Sequence, residues 1–430
     1  MNQKIQTTAV RLYGKMDLRL ETFELPEVGD DEILAHVVSD SICMSSHKAA
    51  LQGADHKRVP ADVAQNPTMI GHEFCGEIVK VGKKWEGKYR EGARFVIQPA
   101  LNYQGSLDAP GYSYRWLGGD ATYVIMPHEV MEMDCLLPYD GDAYYYGSLT
   151  EPMSCIVGAF RASYHVAQGS YDHQMGIKPR GTMAILAGVG PMGLGAVDLA
   201  LHGDIRPALL VVTDIDEARL ERARGLFPAE SAAADGIELH FINTREMADP
   251  VAELRALTDG GYDDVFVMAP VKPVVEMGDR LLAKGGCMNF FAGPTNPAFL
   301  VEINFYDLHY EGHQFVGTSG GNTEDMRISI EMMEQGRINP SIMITHVGGL
   351  TAVVETTLNL PKIPGGKKLM YTNVDLPLVA IEDFADKGRS DAPDAGFWAA
   401  LAEITDRHDG LWSAEAEKYL LANAPALKTQ

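Results

Sequence analysis

The chain has 430 residues, which is long enough for two domains with separate hydrophobic cores. Its 46% hydrophobic and 22% charged residues are typical of a folded globular protein and exclude a largely disordered one. The formal net charge of −23 argues against binding to nucleic acids or anionic membranes, because both would repel the chain.

Cysteine use and hydropathy indicate the compartment. The five cysteines are scattered and odd in number, which suggests no disulfide framework and favours a reducing environment. The N-terminal segment lacks an apolar signal core. The longest uncharged stretch, between Arg180 and Asp198, is rich in glycine and falls short of the ~20 apolar residues of a membrane helix. We therefore expect a soluble, cytoplasmic protein without a membrane partner.

Residues 1–155 have the pattern of strands and turns, with short β-rich runs at 33–38, 94–97 and 121–126. Within this part, Gly71-His72-Glu73-Phe-Cys-Gly76 places an imidazole beside a carboxylate on a turn between two glycines. Both groups are zinc ligands, so the turn is a candidate metal site. A glycine-flanked loop with a hydrogen-bonded histidine is the alternative interpretation.

From residue 156 onward, strands alternate with helical segments. A charged amphipathic helix is predicted from Glu217 to Phe227. The strand candidates are 183–187, 209–213, 238–242, 264–268, 287–291 and 314–318. Six strands joined by crossovers predict an α/β domain with a doubly wound parallel sheet over residues 156–323.

The first turn of this domain, Gly188-Val-Gly190-Pro191-Met192-Gly193, matches the G-x-G-x-x-G pattern after a strand and at the start of a helix. The glycines allow a tight turn and the close approach of a pyrophosphate, which binds at the helix N-terminus. Asp214 ends the next strand, where its carboxylate would accept hydrogen bonds from ribose hydroxyls and repel a 2′-phosphate. We therefore predict an NAD(H) site, with NADP(H) as the alternative.

Three further residues complete the predicted cofactor site. Arg219 is a candidate for stacking over the adenine, although a place on the solvated face of the helix is the alternative. Gly293 and Thr318 lie at the ends of the last two predicted strands, and the carboxyl ends of such strands face the ligand.

Residues 324–430 bring the chain back to its first part. The pattern predicts a helix from Glu324 to Gln335, strands at 342–347 and 365–371, and two C-terminal helices, the second capped by Ser413. The simplest architecture inserts the α/β domain into the β-rich one.

Two further candidate ligands flank the pair of His72 and Glu73. Cys43 lies upstream and Glu151 lies downstream, where the β-rich part ends. A thiolate, an imidazole and a carboxylate with an open fourth position can form a catalytic zinc site. The separations are too long for spacing alone to establish the set, and a lone buried cysteine is more often part of a core.

Several motifs, taken in order, resemble the zinc-dependent medium-chain dehydrogenase/reductases. They are Cys43-x-Ser45, Gly71-His-Glu-x-x-Gly76, Glu151-Pro, the nucleotide turn and Gly366-Lys-Lys-Leu. The sequence Glu151-Pro-Met-Ser is similar to the polyol dehydrogenase branch. The resemblance implies a Rossmann sheet inserted into a GroES-like catalytic domain, and a homodimer or homotetramer.

The same resemblance implies the roles of the site residues. Cys43, His72 and Glu151 would bind a catalytic zinc, Glu73 would be a neighbouring carboxylate able to exchange with water or substrate, and Ser45 would relay a proton. Residues 95–133 contain no cysteine, whereas members of the family with a second, structural zinc carry four there. One zinc is therefore expected.

The chain also departs from the family pattern. Ser46 stands where an aspartate commonly orients the ligand histidine, so His72 requires another support. Lys48 replaces the distal relay histidine. His47 is a candidate for either task, with a packing or surface role as the alternative.

Longer blocks, among them Val316-Gly-Thr-Ser-Gly-Gly-Asn322, resemble sugar-phosphate reductases of the family. They imply NAD(P)H-dependent reduction of a ketose phosphate, with zinc acting as Lewis acid. Its phosphate requires cationic partners, and the candidates are Lys48, Lys57, Arg58, Arg115, Lys367 and Lys368, each also explained as a solvated surface charge. The alternatives are a dehydrogenase of free polyols, a zinc-free reductase, and a non-catalytic cofactor-binding or structural protein.

Overall fold

The computed structural model of the chain describes residues 5–428 and divides into two compact units. The first unit contains the chain up to Glu151 and from Ile344 onward, and the second spans Pro152–Met343. Among the helices of residues 5–428, none combines the length and the apolar character that crossing a membrane requires.

The second unit ends later than the predicted residue 323. The helix that follows this point belongs to the second unit, because its Asp325 forms an ion pair with Arg161. Further along, the backbone N–H of Asn339 donates to Asp198 Oδ2 at 2.7 Å. Such contacts between distant parts of the chain were not readable from the local pattern.

The first unit begins with eight strands and four helices. The strands are β1 (Gln6–Gly14), β2 (Asp17–Glu24), β3 (Ile33–Ile42), β4 (Thr68–Met69), β5 (Phe74–Val81), β6 (Arg94–Ile97), β7 (Tyr123–Met126) and β8 (Leu136–Pro138). The helices are α1 (Met44–Gln52), α2 (His128–Glu132), α3 (Tyr144–Ser148) and α4 (Thr150–Ala162), the last of which continues into the second unit. Strands β1, β2 and β4 form a separate antiparallel sheet that the sequence analysis missed.

The second unit is built from alternating strands and helices. Its strands are β9 (Tyr164–Val166), β10 (His173–Met175), β11 (Thr182–Leu186), β12 (Leu209–Asp214), β13 (Glu238–Asn243), β14 (Tyr262–Val267), β15 (Leu282–Phe290) and β16 (Gln314–Gly317). Its other helices are α5 (Pro191–His202), α6 (Glu217–Leu226), α7 (Ala229–Ala234), α8 (Pro250–Arg255), α9 (Lys272–Leu281), α10 (Phe305–Tyr310) and α11 (Thr323–Glu334).

Strands β11 to β16 form one sheet in the order β13-β12-β11-β14-β15-β16, and all of its pairs are parallel. This confirms the predicted doubly wound sheet. The inner strands carry apolar runs, such as Leu209–Val212, because helices cover both faces of such a sheet. The strand order reverses at β11 and β14, and ligands bind beyond the carboxyl ends of the strands at such a point.

The chain then returns to the first unit. The returning elements are β17 (Ile344–Gly349), α12 (Val353–Asn359), β18 (Lys367–Tyr371), β19 (Val379–Ala380), α13 (Phe384–Gly388), α14 (Ala395–Arg407) and α15 (Ala414–Asn423). They extend an eight-stranded sheet of order β19-β17-β18-β3-β5-β6-β8, in which β7 also pairs with β3. Lys368 is paired with Ile42, so the start of β18 lies beside the end of β3, directly before Cys43.

The C-terminal helices pack on this sheet through a buried polar network. Glu417 on α15 accepts hydrogen bonds from the backbone N–H groups of Tyr144, at 2.6 Å, and Tyr145, at 2.8 Å, and from the hydroxyl of Tyr371 at 2.9 Å. Trp412 Nε1 donates to the same hydroxyl at 2.8 Å. Burial raises the pKa of Glu417 to about 7, even though these donors favour its ionised form. The network ties α15 to α3, which precedes Glu151.

Candidate active site

The turn that carries His72 and Glu73 is formed by a glycine that no other residue can replace. Gly71 has a φ of 90°, a conformation that side chains rarely adopt. A Cβ there would also stand 2.1 Å from Asp40 Oδ2 and 2.5 Å from the backbone nitrogen of Asp120. The turn therefore delivers His72 and Glu73 to the start of β5 in a fixed orientation.

Three of the predicted metal ligands come together in the first unit. Ligand atoms of Cys43, His72 and Glu73 all lie within 4.8 Å of one another, the single such group found among residues 5–428. Cys43 caps α1, immediately after β3, whereas the other two stand on the turn before β5. The antiparallel pairing of β3 and β5 brings these segments together, since Asp40 is opposite Phe74.

Glu73 is held by a cation from the other end of the chain. Lys367 Nζ lies 2.5 Å from both carboxylate oxygens, and the two side chains are 5% and 1% exposed. Ser41 donates a further hydrogen bond to Oε2. Burial alone would lower the pKa of Lys367, but the negative charge and hydrogen bonds of Glu73 outweigh it and raise the pKa. The carboxylate is thus compensated within the protein.

Two more carboxyl groups lie beneath this pair. Asp40 Oδ1 accepts from the backbone N–H of Glu73 at 3.0 Å, and Asp120 is hydrogen-bonded to Asp40. Burial is the main cause that raises the pKa of both, to about 7 for Asp120. Because neighbouring buried carboxylates resist ionising together, this pair retains a proton and Glu73 carries the charge that Lys367 neutralises.

His72 is supported by hydroxyl groups in place of the usual carboxylate. Its Nδ1 is 3.4 Å from Ser46 Oγ, and its Nε2 is 3.1 Å from Ser45 Oγ and 3.3 Å from the Tyr112 hydroxyl. The Tyr112 ring also packs on the imidazole, with 4.9 Å between ring centroids. Ser46 therefore occupies the orienting position, but as a weak, long contact, and Tyr112 supplies most of the support.

The donor set fits zinc. Burial lowers the pKa of His72 to about 4, which leaves the imidazole neutral and able to coordinate a metal. Burial and the charge of Glu73 raise the pKa of Cys43 to about 12, so a metal must displace the thiol proton on binding. A thiolate, a neutral imidazole and a carboxylate in one buried pocket are the ligands that Zn²⁺ prefers.

Glu151 does not join this group. It stands on the first turn of α4, and its charge raises the pKa values of Cys43 and Lys367, which indicates that it lies nearby. Its carboxylate is outside the cluster of ligand atoms within 4.8 Å. Of the two predicted carboxylates, Glu73 is the one within the cluster, and the Glu151 ligand role stays a prediction.

The two relay candidates, His47 and Lys48, have described interactions outside the metal group. His47 Nδ1 donates to the carbonyl of Thr357 at 2.9 Å, so it fixes α1 against α12 and has the packing role. Lys48 is on the same helix, and its positive charge is one of the causes that lower the pKa of His56. The catalytic role of Lys48 stays a prediction. Ser45, by contrast, contacts Cys43, His72 and Tyr112.

Sequence reasoning missed Tyr112 and the pairing of Lys367 with Glu73. Tyr112 lies in a loop and belongs to none of the motifs named above. It directly follows Gly111, which approaches the turn of His72 so closely that a Cβ on Gly111 would stand 2.1 Å from the Gly71 carbonyl. That constraint is invisible without coordinates. Lys367 was one of six candidates for the phosphate, with a solvated surface charge as the alternative, and it is instead buried and paired with Glu73. Lys368, another of these candidates, is also buried, and its ammonium donates to the carbonyls of Pro364 and Gly366.

In the second unit, the predicted nucleotide turn joins β11 to α5. A Cβ on Gly193 would stand 2.2 Å from the Gly188 carbonyl, so the tight turn itself requires Gly193. Around Gly190 nothing lies within 4 Å, and this residue caps α5, with Pro191 at the first helical position. The first N–H groups of a helix have no partner within it, so open space at Gly190 leaves them accessible to a pyrophosphate. The turn fits a dinucleotide.

Asp214 and Arg219 follow the adjacent strand. Asp214 ends β12, and both described hydrogen bonds of its carboxylate go to Oδ1, from the backbone N–H groups of Ile215 at 2.8 Å and Asp216 at 3.1 Å. Asp214 itself lies at the carboxyl end of its strand, the edge of the sheet where a ribose would bind. Arg219 is on the exposed face of α6, where its Nε lies 3.6 Å from Asp216 Oδ2. Its solvated position supports the alternative to adenine stacking.

Gly293 and Thr318 lie at the same edge of the sheet. Gly293 is exposed just beyond β15, and the Thr318 hydroxyl, just beyond β16, donates to Asn289 Oδ1 at 3.3 Å. Met192 is in the first turn of α5. All of these residues are placed where the carboxyl ends of parallel strands gather ligands, and their contacts with a cofactor stay a prediction.

Two family models match the chain. Residues 29–134 match the alcohol dehydrogenase GroES-like domain, and residues 191–335 match the zinc-binding dehydrogenase domain. The 2R,3R-butanediol dehydrogenase structure from Bacillus subtilis resembles this fold with a TM-score of 0.69 at 22% identity, covering 85% of this chain and 100% of that one. The predicted fold class, a Rossmann sheet inserted into a GroES-like domain, is confirmed.

Relatives of nearly equal length are much more similar in sequence. L-sorbose 1-phosphate reductase of Klebsiella pneumoniae is 52% identical over 97% of this chain and 98% of its own. Mannitol-1-phosphate 5-dehydrogenase of Aliivibrio fischeri is 51% identical over 97% of each chain. D-arabitol-phosphate dehydrogenase of Enterococcus avium is 26% identical over 82% of this chain and 93% of its own. All three names describe oxidoreductases that act on phosphorylated polyols or ketoses.

Proposed function

This chain belongs to the zinc-dependent medium-chain dehydrogenase/reductases, and we propose that it reduces L-sorbose 1-phosphate to D-glucitol 6-phosphate with hydride from NAD(P)H. The observation that carries this proposal is the 52% identity to L-sorbose 1-phosphate reductase over 97% of the chain. The grouped thiol, imidazole and carboxylate of Cys43, His72 and Glu73 support it, because zinc chemistry requires them.

The residues that would hold the metal and the cofactor lie in different units. We propose that Cys43 and His72 bind one zinc ion, with Glu73 and Glu151 as alternating carboxylate ligands. When bound, zinc polarises a carbonyl oxygen and the reduced nicotinamide supplies hydride. The Lys367 ammonium, 2.5 Å from Glu73, balances that carboxylate whenever the metal does not.

Ser45 is the residue we assign to proton delivery. Its hydroxyl stands at the metal group, 3.1 Å from His72 Nε2, and contacts the Tyr112 hydroxyl. We propose that Ser45 Oγ–H donates to the substrate oxygen as the carbonyl becomes an alcohol, and that Ser45 is reprotonated through Tyr112. A relay through His47 is disfavoured, because His47 Nδ1 is bonded to the Thr357 carbonyl.

For the cofactor, we propose that the turn Gly188–Gly193 binds the pyrophosphate and that Asp214 binds the ribose. Its carboxylate favours NAD(H) over NADP(H), since a 2′-phosphate would meet like charge. Gly293 and Thr318, at the neighbouring strand ends, are the proposed nicotinamide-side contacts. Arg219 is left as a weaker candidate because it pairs with Asp216.

A second substrate has comparable support. Mannitol 1-phosphate is favoured by the 51% identity to mannitol-1-phosphate 5-dehydrogenase. The two reactions differ in where the phosphate stands, because in a ketose 1-phosphate it is on the carbon next to the reacting carbonyl. A dehydrogenase of an unphosphorylated polyol is the remaining alternative, supported by weaker identity, such as 24% to sorbitol dehydrogenase of Bacillus subtilis.

The test is NADH oxidation measured with L-sorbose 1-phosphate, L-sorbose and fructose phosphates, and NAD⁺ reduction measured with D-glucitol 6-phosphate and mannitol 1-phosphate. We expect the largest kcat/KM with L-sorbose 1-phosphate, loss of turnover on chelation, and recovery on addition of zinc. Chelator-insensitive turnover, or turnover of free polyols only, would contradict the proposal.

We also propose that the protein works in the cytoplasm as a homodimer or homotetramer. The reduced, scattered cysteines support the compartment. Light scattering on the purified protein tests the assembly, and a monomeric mass would contradict it.

A further inference from the structure

Helix α1 and the segment that follows it carry three cationic residues that act on one neutral histidine, His56. His56 is half-buried, and burial together with the charges of Arg58, Lys57 and Lys48 lowers its pKa to about 4. All three cations therefore act electrostatically on this imidazole, which is neutral at pH 7. In a chain of net charge −23, such a concentration of positive charge marks a place that attracts an anion.

This cationic segment is joined to the metal group through Tyr112. The rings of His56 and Tyr112 stack, with 5.6 Å between centroids and 7° between planes. On its other side, Tyr112 packs against His72 and its hydroxyl lies 3.3 Å from Nε2. The guanidinium of Arg58 is 5.4 Å from the centre of the Tyr112 ring. One aromatic ring thus separates the metal ligand from the cations.

The backbone of Arg58 is held by hydrogen bonds, whereas one nitrogen of its side chain has no hydrogen-bond partner. Its backbone N–H donates to His56 Nδ1 at 3.3 Å, and its carbonyl accepts from Ser113 Oγ at 2.6 Å. Its side-chain Nε is buried without a hydrogen-bond partner. A buried donor on a charged group is costly to leave unpaired, and a ligand oxygen would satisfy it.

We propose that Arg58, with Lys48 and Lys57 beside it, binds the phosphate of the substrate and gives this site its preference for phosphorylated sugars. This inference rests on the proposed function for the identity of the ligand, a sugar phosphate monoester. The planar guanidinium donates to two phosphate oxygens at once, and the two lysines add charge.

The distances suit a phosphate next to the reacting carbon. Tyr112 bridges 4.9 Å to the imidazole of His72 and 5.4 Å to the guanidinium of Arg58, so these groups lie at most about 10 Å apart. Three bonds join the carbonyl carbon of a ketose 1-phosphate to its phosphorus, about 4 Å for a bent chain at roughly 1.5 Å per bond. Guanidinium contacts to phosphate add roughly 2.8 Å. These two spans add to about 7 Å, which falls within the upper bound of about 10 Å between the two groups.

The other candidate cations are accounted for elsewhere. Lys367 is paired with Glu73, and Lys368 donates to two backbone carbonyls. Arg115 lies over the ring of Trp116 at 4.9 Å. The segment around His56 is the remaining concentration of positive charge among the candidates.

The test compares Arg58→Gln with Arg90→Gln, a matched control at an exposed arginine of the same unit. The readout is the ratio of kcat/KM for L-sorbose 1-phosphate to kcat/KM for L-sorbose. We expect Arg58→Gln to lower this ratio by about 10- to 100-fold, mostly through KM, and Arg90→Gln to keep it. Arg58→Lys should fall between them, because it keeps the charge and loses the planar donor pair. Equal losses on both substrates would overturn the inference.

A binding measurement separates this inference from the proposed function. Calorimetric titration with inorganic phosphate needs no turnover, so it works even if no ketose phosphate is a substrate. We expect the wild type and Arg90→Gln to bind inorganic phosphate with equal affinity. In Arg58→Gln this affinity should be at least tenfold weaker. Unchanged affinity in a folded Arg58→Gln protein, or no binding to the wild type, would overturn the phosphate site. Absence of turnover with intact, Arg58-dependent binding would overturn only the proposed reaction.

Discussion

The ion pair of Glu73 and Lys367 offers the sharpest test of the centre. Replacing Lys367 with Met removes the cation and leaves Glu73, 1% exposed, as a buried charge without compensation. Replacing Glu73 with Gln as well removes the charge itself. The two variants therefore distinguish an ion pair that adds net stability from one in which only the loss of a single partner is costly.

The magnitude follows from the geometry. At 2.5 Å, with an effective dielectric constant of about 20, the Coulomb attraction is roughly 7 kcal/mol. Desolvation costs several kcal/mol for each ion and offsets most of it. We therefore expect Lys367→Met to lower the free energy of unfolding of the zinc-free protein by about 3–5 kcal/mol. The double variant should recover most of this loss, to within about 1 kcal/mol of the wild type.

The assay is urea unfolding followed by tryptophan fluorescence. All four tryptophans, at positions 85, 116, 398 and 412, are in the first unit, so the signal reports the unit that contains the pair. Each variant is measured after chelation and again with zinc. Zinc should stabilise Lys367→Met more than the wild type, because the released carboxylate is then a metal ligand.

Two results would refute this reasoning. If Lys367→Met and the double variant were equally unstable, Glu73 would not be the source of the loss. If zinc stabilised Lys367→Met no more than the double variant, the Glu73 carboxylate would not take part in metal binding.

Two further predictions use other parts of the chain. Gly190→Ala should leave the unfolding midpoint of the second unit unchanged, because the space around Gly190 is open. The added methyl group would occupy the space that the pyrophosphate needs, so NADH binding, measured by fluorescence titration, should weaken at least tenfold. Gly193→Ala should instead destabilise the unit. Glu417→Gln tests the C-terminal network: because burial raises the pKa of Glu417 to about 7, its proton stabilises the fold at low pH, and that contribution is lost as pH rises through 7. The free energy of unfolding of the wild type should thus fall relative to Glu417→Gln between pH 5 and pH 8, and a constant difference would contradict this assignment.

Local pattern was sufficient for most of the second unit. All six predicted strands overlap the observed strands of the parallel sheet, and Arg94–Ile97 in the first unit was predicted with its observed bounds. Ser413 caps α15 by accepting from Ala416 N, as its sequence pattern indicates. These features depend on residues that are near each other in the sequence, so they can be predicted from the sequence alone.

The metal centre depended on contacts that span the chain. Cys43 and His72 were predicted together by resemblance, and the structure places them in one cluster. Glu73 joins them because it follows His72 on the turn before β5, which pairs with β3, whereas the sequence holds no local sign that Lys367 at the start of β18 pairs with Glu73. The partners of Lys367 and the position of Tyr112 follow from the same long-range packing, which is why both escaped the sequence analysis.

The first unit is assembled from the two ends of the chain, and this has a consequence for biosynthesis. Lys367 follows Glu73 by 294 positions, and β18 pairs with β3 only after the whole second unit has been synthesised. Domains generally fold as they emerge from the ribosome, so residues 152–343 can fold before the first unit is complete. Until β18 is translated, the Glu73 carboxylate has no counter-ion and favours contact with water over burial. The metal pocket is thereby completed late in translation, and a chain that stops before Lys367 contains the whole nucleotide turn but an incomplete first unit.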